Sequence, residues 1–556
     1  MNVLSIQAHH NSSVCLFIDG KFTYFNQEER LRKEKNYGSI PFKCLEEVKD
    51  ITKKIDHLVI TGYDIDQYQM NLFRELLKYL GFEVDRWFFY NNSHHLSHAF
   101  RSFFASEFSE SIVIVWDGRG SDYKLSDFSD AFETTSVFYI SYGKRPKLLY
   151  KKLYCYNSLS DDENLKPFID NNLWQCSDDF EFEIFKDGIH DIAHYYDRIT
   201  NYFEFGRNES GKLMGLHPYG SKNEILSNLI SDGNKFKSDL LVDEWFADGE
   251  KIRSLNLKNI NDLAYETQKG VEKVGLNLIK KVLNKTTCKN LILTGGVSLN
   301  IVANSYYREN LDSDINLYVD ALCGDEGNSI GMGQLYCYDH YNFVPTIEEE
   351  IYLCGNLPSY DFELETGEKV FENVEYSSVV DLLIQGNIVS IFQGRSEAGP
   401  RALGNRSILF DPRVKDGKDI VNRVKRREPF RPFACSILLE ESHNWFDMTH
   451  IKESPHMMYS FKALPGVKDI IPSVIHVDNT SRIQTVTQEQ NFHYYNLIKE
   501  FFVKTSVPVL FNTSFNLAGE TIVEDIHDAL STLRRSELEY LYLPEVGKLI
   551  YIKNNQ

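Results

Sequence analysis

Ser111-Ile112-Val113-Ile114-Val115-Trp116-Asp117-Gly118-Arg119-Gly120 decides how the N-terminal half is read. A short apolar run that ends in a carboxylate and a glycine-rich turn is the signature of a strand buried on both faces of a sheet. Its C-terminal end then opens onto a site. The pattern recurs on either side. Residues 58–61 and 291–294 are similar apolar runs, and the second leads into Gly295-Gly296-Val297-Ser298-Leu299-Asn300. A third Gly/Asp strand end is Cys323-Gly324-Asp325-Glu326-Gly327-Asn328. Asp117 alone would pass as a turn cap, but three such ends in one domain ask for more than turn chemistry. At the start of the chain, β-rich runs cover residues 3–7, 13–18 and 22–26, and Asp19-Gly20 is a strong hairpin signal. The class is α/β, with reacting groups expected at strand C-terminal ends.

The chain has 556 residues, 42% hydrophobic and 25% charged, which are ordinary globular values. That length holds two large α/β domains or three to four of average size. A composition shift at residues 339–357 places the boundary, giving expected domains 1–345 and 355–556. Residues 123–199 break the α/β rhythm and read as an insertion carrying loops over a site. Its acidic part at 161–183 has solvated surface decoration as the alternative. No apolar run approaches the ~18 residues of a membrane helix, and MNVLSIQAHH lacks the basic flank of a secretory signal. Nine cysteines without a CxxC pair read as reduced thiols, so a cytoplasmic protein with no membrane partner is expected. The net charge of −20 argues against a protein that coats nucleic acid. Yet residues 395–431 carry eight Arg and three Lys against five acids, so an anion is expected to bind there.

Two constellations carry chemistry. In His94-His95-Leu96-Ser97-His98-Ala99, helical spacing puts His94 and His98 on one face, where two imidazoles can share a metal. Asp117 and Asp325 at the strand ends would complete a mixed N/O set suited to Fe(II), Zn(II) or Mn(II), which softness does not separate. A helix-surface pair without metal is the bland alternative. Glycine turns with free N–H groups at Gly118, Gly120, Gly295 and Gly296, followed by Asn300, could meet a nucleotide phosphate. Lys212 in Ser210-Gly211-Lys212 is a weaker candidate, because P-loop spacing is absent. The second constellation is basic: Arg395 and Arg401, then Lys425, Arg427 and Arg431, with Arg482, Asn512 and Ser514 farther on. Arg forks bind phosphate or carboxylate bidentately, and the apolar residues 408–410 and 430–433 argue against a simply solvated basic face.

The order Glu28-Glu29-Arg30, HHLSHA (94–99), WDGRG (116–120), GKLMGLHPYG (211–220), GGVSLN (295–300), GDEGNSIG (324–331), GRSEAGPRALGNRS (394–407), VKRREPFRPFA (424–434), DNTSRIQ (478–484) and NTSFN (512–516) resembles the NodU/CmcH-type O-carbamoyltransferases over nearly the whole chain. The opening hairpins also look like those of an actin-like or sugar-kinase-like nucleotide domain. The resemblance implies an actin-like ATPase-superfamily domain followed by a YrdC-like domain. It implies that carbamoyl phosphate and ATP, with Mg2+, form carbamoyladenylate in the second domain, and that the carbamoyl group passes to an acceptor hydroxyl at the metal of the first. His94, His98, Asp117 and Asp325 match the family's metal ligands, usually iron. Lys425, Arg431, Arg482, Asn512, Ser514 and Arg401 match positions around carbamoyl phosphate and the adenylate, and Lys425, Arg431 and Arg482 are carried over as catalytic. His10 matches a position near the acceptor.

The chain departs from the family pattern at His217, Asn479, Ala518 and Thr521, and the loss of a basic residue at Ala518 would weaken one phosphate contact. The acceptor is expected to be a small-molecule hydroxyl, on a sugar, aminoglycoside or other natural product. A hydroxymethylpyrimidine, free or in DNA, is the alternative. A nucleotide-switched binding module and a tRNA threonylcarbamoylation enzyme are the readings from other classes. A homodimer is one admissible assembly.

Overall fold

The computed structural model describes residues 1–62, 67–90, 92–127, 129–155, 174–185, 191–240, 247–348 and 351–553. Its contacts divide the chain into two units, Met1–Thr23 with Gly38–Ile347 and Tyr24–Tyr37 with Glu348–Gln556. The expected first domain is therefore interrupted, since residues 24–37 belong with the C-terminal unit. Buried Arg30 explains why: it donates to the backbone oxygens of Glu397 (3.2 Å) and Gly399 (2.7 Å), while Gln27 Oε1 accepts from Gly399 N–H at 3.1 Å.

The first unit is built on two sheets. Strands β1 (Asn2–Gln7), β2 (Ser13–Ile18), β3 (Lys21–Gln27), β4 (Lys54–Thr61) and β5 (Glu83–Phe89) lie in the order β3-β2-β1-β4-β5. β1 runs antiparallel to β2 and parallel to β4. Asp19 and Gly20 both take positive φ, 50° and 77°, as a two-residue hairpin matched to strand twist requires. The second sheet contains β6 (Glu110–Trp116), β7 (Asp122–Lys124), β8 (Asp130–Ser141), β9 (Lys147–Cys155), β10 (Gln175–Phe185), β11 (Asn290–Thr294) and β12 (Asn316–Val319). Its order is β10-β9-β8-β6-β11-β12, with β7 beside β8. Without β7 and β10 it repeats the first sheet: a strand, two antiparallel neighbours on one side, two parallel neighbours on the other. This duplicated order is that of the actin-like ATPases.

The repeat also corrects the insertion. β8 and β9 fall within residues 123–199, yet they are the antiparallel wing of the second sheet and are buried along most of their length. Residues 128, 156–173 and 186–190 of the expected insertion lie outside the described residues.

The helix His94–Ala105 leads into β6 and is buried from His94 to Phe103, polar side chains included. Buried polar groups are costly unless partnered, so this helix must face other polar groups. One neighbour is the helix Asn328–Tyr341. Its Gly331 comes so near that a Cβ would sit 2.2 Å from the Ser97 backbone oxygen, which only glycine permits. That close crossing carries the start of the second helix, and Asp325 just before it, onto His98.

The second unit has a nine-stranded mixed sheet. Its order is Lys369–Phe371, Lys548–Tyr551, Tyr540–Leu543, Val389–Phe392, Arg406–Phe410, Val509–Ser514, Ala434–Leu438, Thr480–Val486 and Ser460–Lys462. Helices Tyr376–Ile384 and Phe492–Thr505 pack together over the central strands. Among the described residues there is no disulfide, and eight of the nine cysteines are buried. Among the described residues no helix is long and apolar enough to cross a membrane.

Candidate metal centre and anion pocket

His94, His98, Asp117 and Asp325 converge, each offering one ligand atom, all within 4.8 Å of one another and all buried. His94 and His98 come from the buried helix, Asp117 from the end of β6, and Asp325 from the turn after β12. His94 Nε2 lies 3.2 Å from His98 Nε2, 3.3 Å from Asp117 Oδ2 and 3.3 Å from Asp325 Oδ1. His98 Nε2 lies 3.2 Å from Asp325 Oδ1 and 3.9 Å from Asp117 Oδ2. Four donors around one cation at about 2.1 Å are about 3.4 Å apart in a tetrahedron, so these separations fit the edges of a coordination shell. The charges agree. Burial pushes the His94 imidazole down, but Asp325 and Asp117 outweigh it and hold it up at about 10. Burial likewise raises Asp325, yet His94 and His98 keep its carboxyl well below the usual range. Two buried carboxylates with two imidazoles attract positive charge.

A surrounding network fixes the cluster. Ser121 Oγ accepts from His94 N–H (3.2 Å), and Gly296 N–H donates to Asp117 Oδ1 (3.2 Å). Glu133 Oε1 accepts from the backbone N–H of His95 (3.3 Å) and Ser121 (3.1 Å), and its other oxygen is paired with buried Lys151. Against burial, His95 and Lys151 hold Glu133 down at about 2. His95 contacts Ser136 Oγ at 2.8 Å and is pushed down to about 3 by burial, which Lys151 and His94 reinforce against Glu133. The middle histidine of HHLSHA is thus a neutral packing group. A Cβ on Gly120 would lie 2.4 Å from Glu133 Cγ and 2.8 Å from His95 Cδ2.

In the second unit Lys425 is 2% exposed at the end of the helix Gly417–Val424. Its ammonium donates to the backbone oxygen and Oγ of Ser514 and to the backbone oxygen (2.9 Å) and Oδ1 (2.8 Å) of Asn516. Burial first, then Arg427 and Arg431, pulls Lys425 well below the ordinary lysine range. Burial, then Arg401, Arg427 and Arg431, does the same to Arg482. Arg401, Lys425, Arg427, Arg431 and Arg482 therefore sense one another's charge, and such a group favours an anion. Arg406, from the same basic run, is spent otherwise: it donates to the backbone oxygens of Gln393, Gly394, Asn405 and Glu524 and stacks 3.7 Å over Phe392.

The remaining sequence candidates fall in several places. Asn512 Nδ2 donates to Ser436 Oγ (2.9 Å), Ala402 O and Gln484 Oε1, joining the strands under the basic group. Arg395 receives Asn405 Nδ2 on its backbone oxygen at 2.8 Å. A Cβ on Gly118, next to Asp117, would meet nothing within 4 Å, whereas Gly120 is packed and Gly295 abuts the Trp116 backbone. Asn300 caps the helix Ile301–Glu309 and pairs with Gln268 (3.0 Å). Lys212 lies near Glu209 and the Phe205 backbone oxygen. Among the described residues no hydrogen bond or ion pair joins His10 to the metal cluster. Instead the adjacent His9 senses it: burial, His94 and Arg119 lower the His9 imidazole, and Asp325 opposes them. His9, Ser121, Glu133, Lys151 and Asn328 were missed because each reaches the cluster only through folding. The one local signal was the doubled His9-His10.

A unit of actin-like topology with a buried imidazole–carboxylate cluster is thus joined in one chain to an α/β unit with a cluster of guanidinium and ammonium groups. The chain belongs to the carbamoyltransferase family, and it is a carbamoyltransferase. The model described as Carbamoyltransferase N-terminus matches residues 66–333, and that described as Carbamoyltransferase C-terminus matches residues 380–548. The nodulation protein NolNO of Sinorhizobium fredii is 28% identical over 577 residues, 96% of this chain and 78% of that protein. The nodulation protein NolO of Bradyrhizobium diazoefficiens is 30% identical over 379 residues, covering 63% and 67%. An uncharacterised protein of Synechocystis is 29% identical over 642 residues, covering 98% and 95%.

Proposed function

We propose an ATP-dependent O-carbamoyltransferase working in two steps. Carbamoyl phosphate and ATP meet at Arg401, Lys425, Arg427, Arg431 and Arg482, where water cleaves carbamoyl phosphate to carbamate and inorganic phosphate and the carbamate oxygen displaces pyrophosphate from the α-phosphorus of ATP to give carbamoyladenylate. The carbamoyl group then passes to the hydroxyl of a small-molecule acceptor beside His94, His98, Asp117 and Asp325, with AMP leaving and the hydroxyl giving up its proton. Guanidinium and ammonium groups in the first step offset the mutual repulsion of two phosphorylated substrates. A divalent cation at the second site, with Fe(II) as the reading and Mg2+ reserved for ATP, would stabilise negative charge developing on the carbamoyl carbonyl oxygen. The start of the helix that carries His94 and His98 is held by Ser121 and Glu133, which accept from the backbone N–H of His94 and His95, and Asp117 is held by the Gly296 N–H. Gly118 leaves open space beside Asp117 for a ligand, and the His9 imidazole, which senses His94 and Asp325, would serve as the base for the acceptor hydroxyl.

The observation that carries this reading is the presence in one carbamoyltransferase chain of two polar clusters of different character, imidazoles and carboxylates at His94, His98, Asp117 and Asp325, and guanidinium groups around the buried ammonium of Lys425. Mass spectrometry of a panel of hydroxyl compounds, incubated with the enzyme, ATP and carbamoyl phosphate, should show one acceptor gaining a single carbamoyl unit. Gain on DNA or a hydroxymethylpyrimidine nucleotide would redirect the acceptor, and exchange driven by threonine plus bicarbonate would contradict the reaction.

A further inference from the structure

We infer that Asn328 is a fifth donor to the cation, through its side-chain oxygen; this rests on the reading that His94, His98, Asp117 and Asp325 hold a divalent cation. Asn328 opens the helix Asn328–Tyr341, is fully buried, and places Nδ2 3.2 Å from His98 Nε2. That same nitrogen lies 3.2 Å from His94 Nε2 and 3.2 Å from Asp325 Oδ1. An imidazole nitrogen has one lone pair or one N–H, so it can make one hydrogen bond, not three. Three polar atoms at equal distance around it are better described as members of a shell that shares a common point.

The other end of the amide supports the same conclusion. Asn328 Oδ1 is buried without a hydrogen-bond partner, an arrangement that normally costs about 1–3 kcal/mol. A half-turn of the amide exchanges its two atoms within the same space. Oδ1 then takes the position 3.2 Å from His98 Nε2, the same separation that nitrogen has from His94 Nε2 and Asp325 Oδ1. The orphaned oxygen gains a cation, and His98 keeps its lone pair for the same ion. A neutral amide oxygen is an ordinary donor for hard and borderline divalent ions and would favour them over softer ones. Gly331, three residues on, fixes the position by holding this helix against Ser97 and Arg101.

The test uses the full-length protein stripped with a chelator and titrated with Co2+ alone, read by its visible absorption and by isothermal calorimetry. Wild type should bind one Co2+. Asn328→Ala should bind about tenfold or more weakly with an altered band envelope. Asn328→Asp, which keeps the shape and supplies an oxygen, should bind at least as tightly as wild type with the wild-type envelope. Circular dichroism of the metal-free variants separates lost ligation from lost folding. If Asn328→Ala misfolds, a weakened Asn328→Asp with an altered envelope overturns the assignment. Wild-type affinity and spectrum in Asn328→Ala overturn it too, while the four-donor reading stands. A wild type that binds no Co2+, or binds it undiminished after His98→Ala, removes the four-donor reading and this inference with it.

Discussion

The two buried polar groups of this chain are opposites. In the first unit two imidazoles and two carboxylates crowd together; against burial, Asp325 and Asp117 lift His94 to about 10, and His94 and His98 hold Asp325 well below its usual range. In the second unit an ammonium and several guanidinium groups crowd together, and both Lys425 and Arg482 are driven down. Neighbouring groups show what a completed arrangement looks like. Glu133 has Lys151, and Arg406 has four backbone oxygens and an aromatic face. Burying charge is expensive unless it is compensated, and the ligands proposed for the two groups accordingly differ in sign.

Five changes break or sharpen this contrast. His98→Ala removes one of the imidazoles facing the carboxylates and should cut carbamoylated product at least about a thousandfold, as read by mass spectrometry. Lys425→Met lightens the cationic group and should reduce product about a hundredfold, with Co2+ binding at the first unit unchanged by calorimetry. Glu133→Gln attacks the satisfied control. It leaves the Lys151 ammonium buried without its counter-charge and should cost about 3–5 kcal/mol in chemical denaturation, and adding Lys151→Met should recover most of that. Gly331→Ala forces two helices apart and should cost about 1–3 kcal/mol while loosening Co2+ binding. Arg406→Lys, by comparison, should leave Co2+ binding untouched and register only as a loss of stability.

Much of this was legible in the sequence because the chemistry sits next to the punctuation. Apolar runs ending in Asp117 and Gly295-Gly296 announced strands, and the spacing of His94 and His98 announced that they share a helix face; Asp325, read as a third strand end, lies in a turn six residues beyond the strand Asn316–Val319. Asp19-Gly20 announced its hairpin. The duplicated sheet was not legible, because β8 and β9 sit inside an aromatic and acidic stretch that disguises two core strands as decoration. Nor was the transfer of residues 24–37 to the second unit, which depends on Arg30 meeting backbone oxygens about 370 residues away. Local pattern cannot register a partner at that separation. The same limit applies to Glu133 and Lys151, whose pairing depends on the register of β8 with β9, and to Arg406, which composition alone groups with the anion-binding arginines.

The account rests on a division of labour between the two charge groups. It is tested most directly by carbamoyl-phosphate-dependent exchange of labelled pyrophosphate into ATP, measured on the full-length wild type, His98→Ala and Lys425→Met. The account predicts exchange in the wild type and in His98→Ala within about twofold of each other, and loss of about a hundredfold in Lys425→Met. Exchange that disappears with His98 and persists without Lys425 would contradict it.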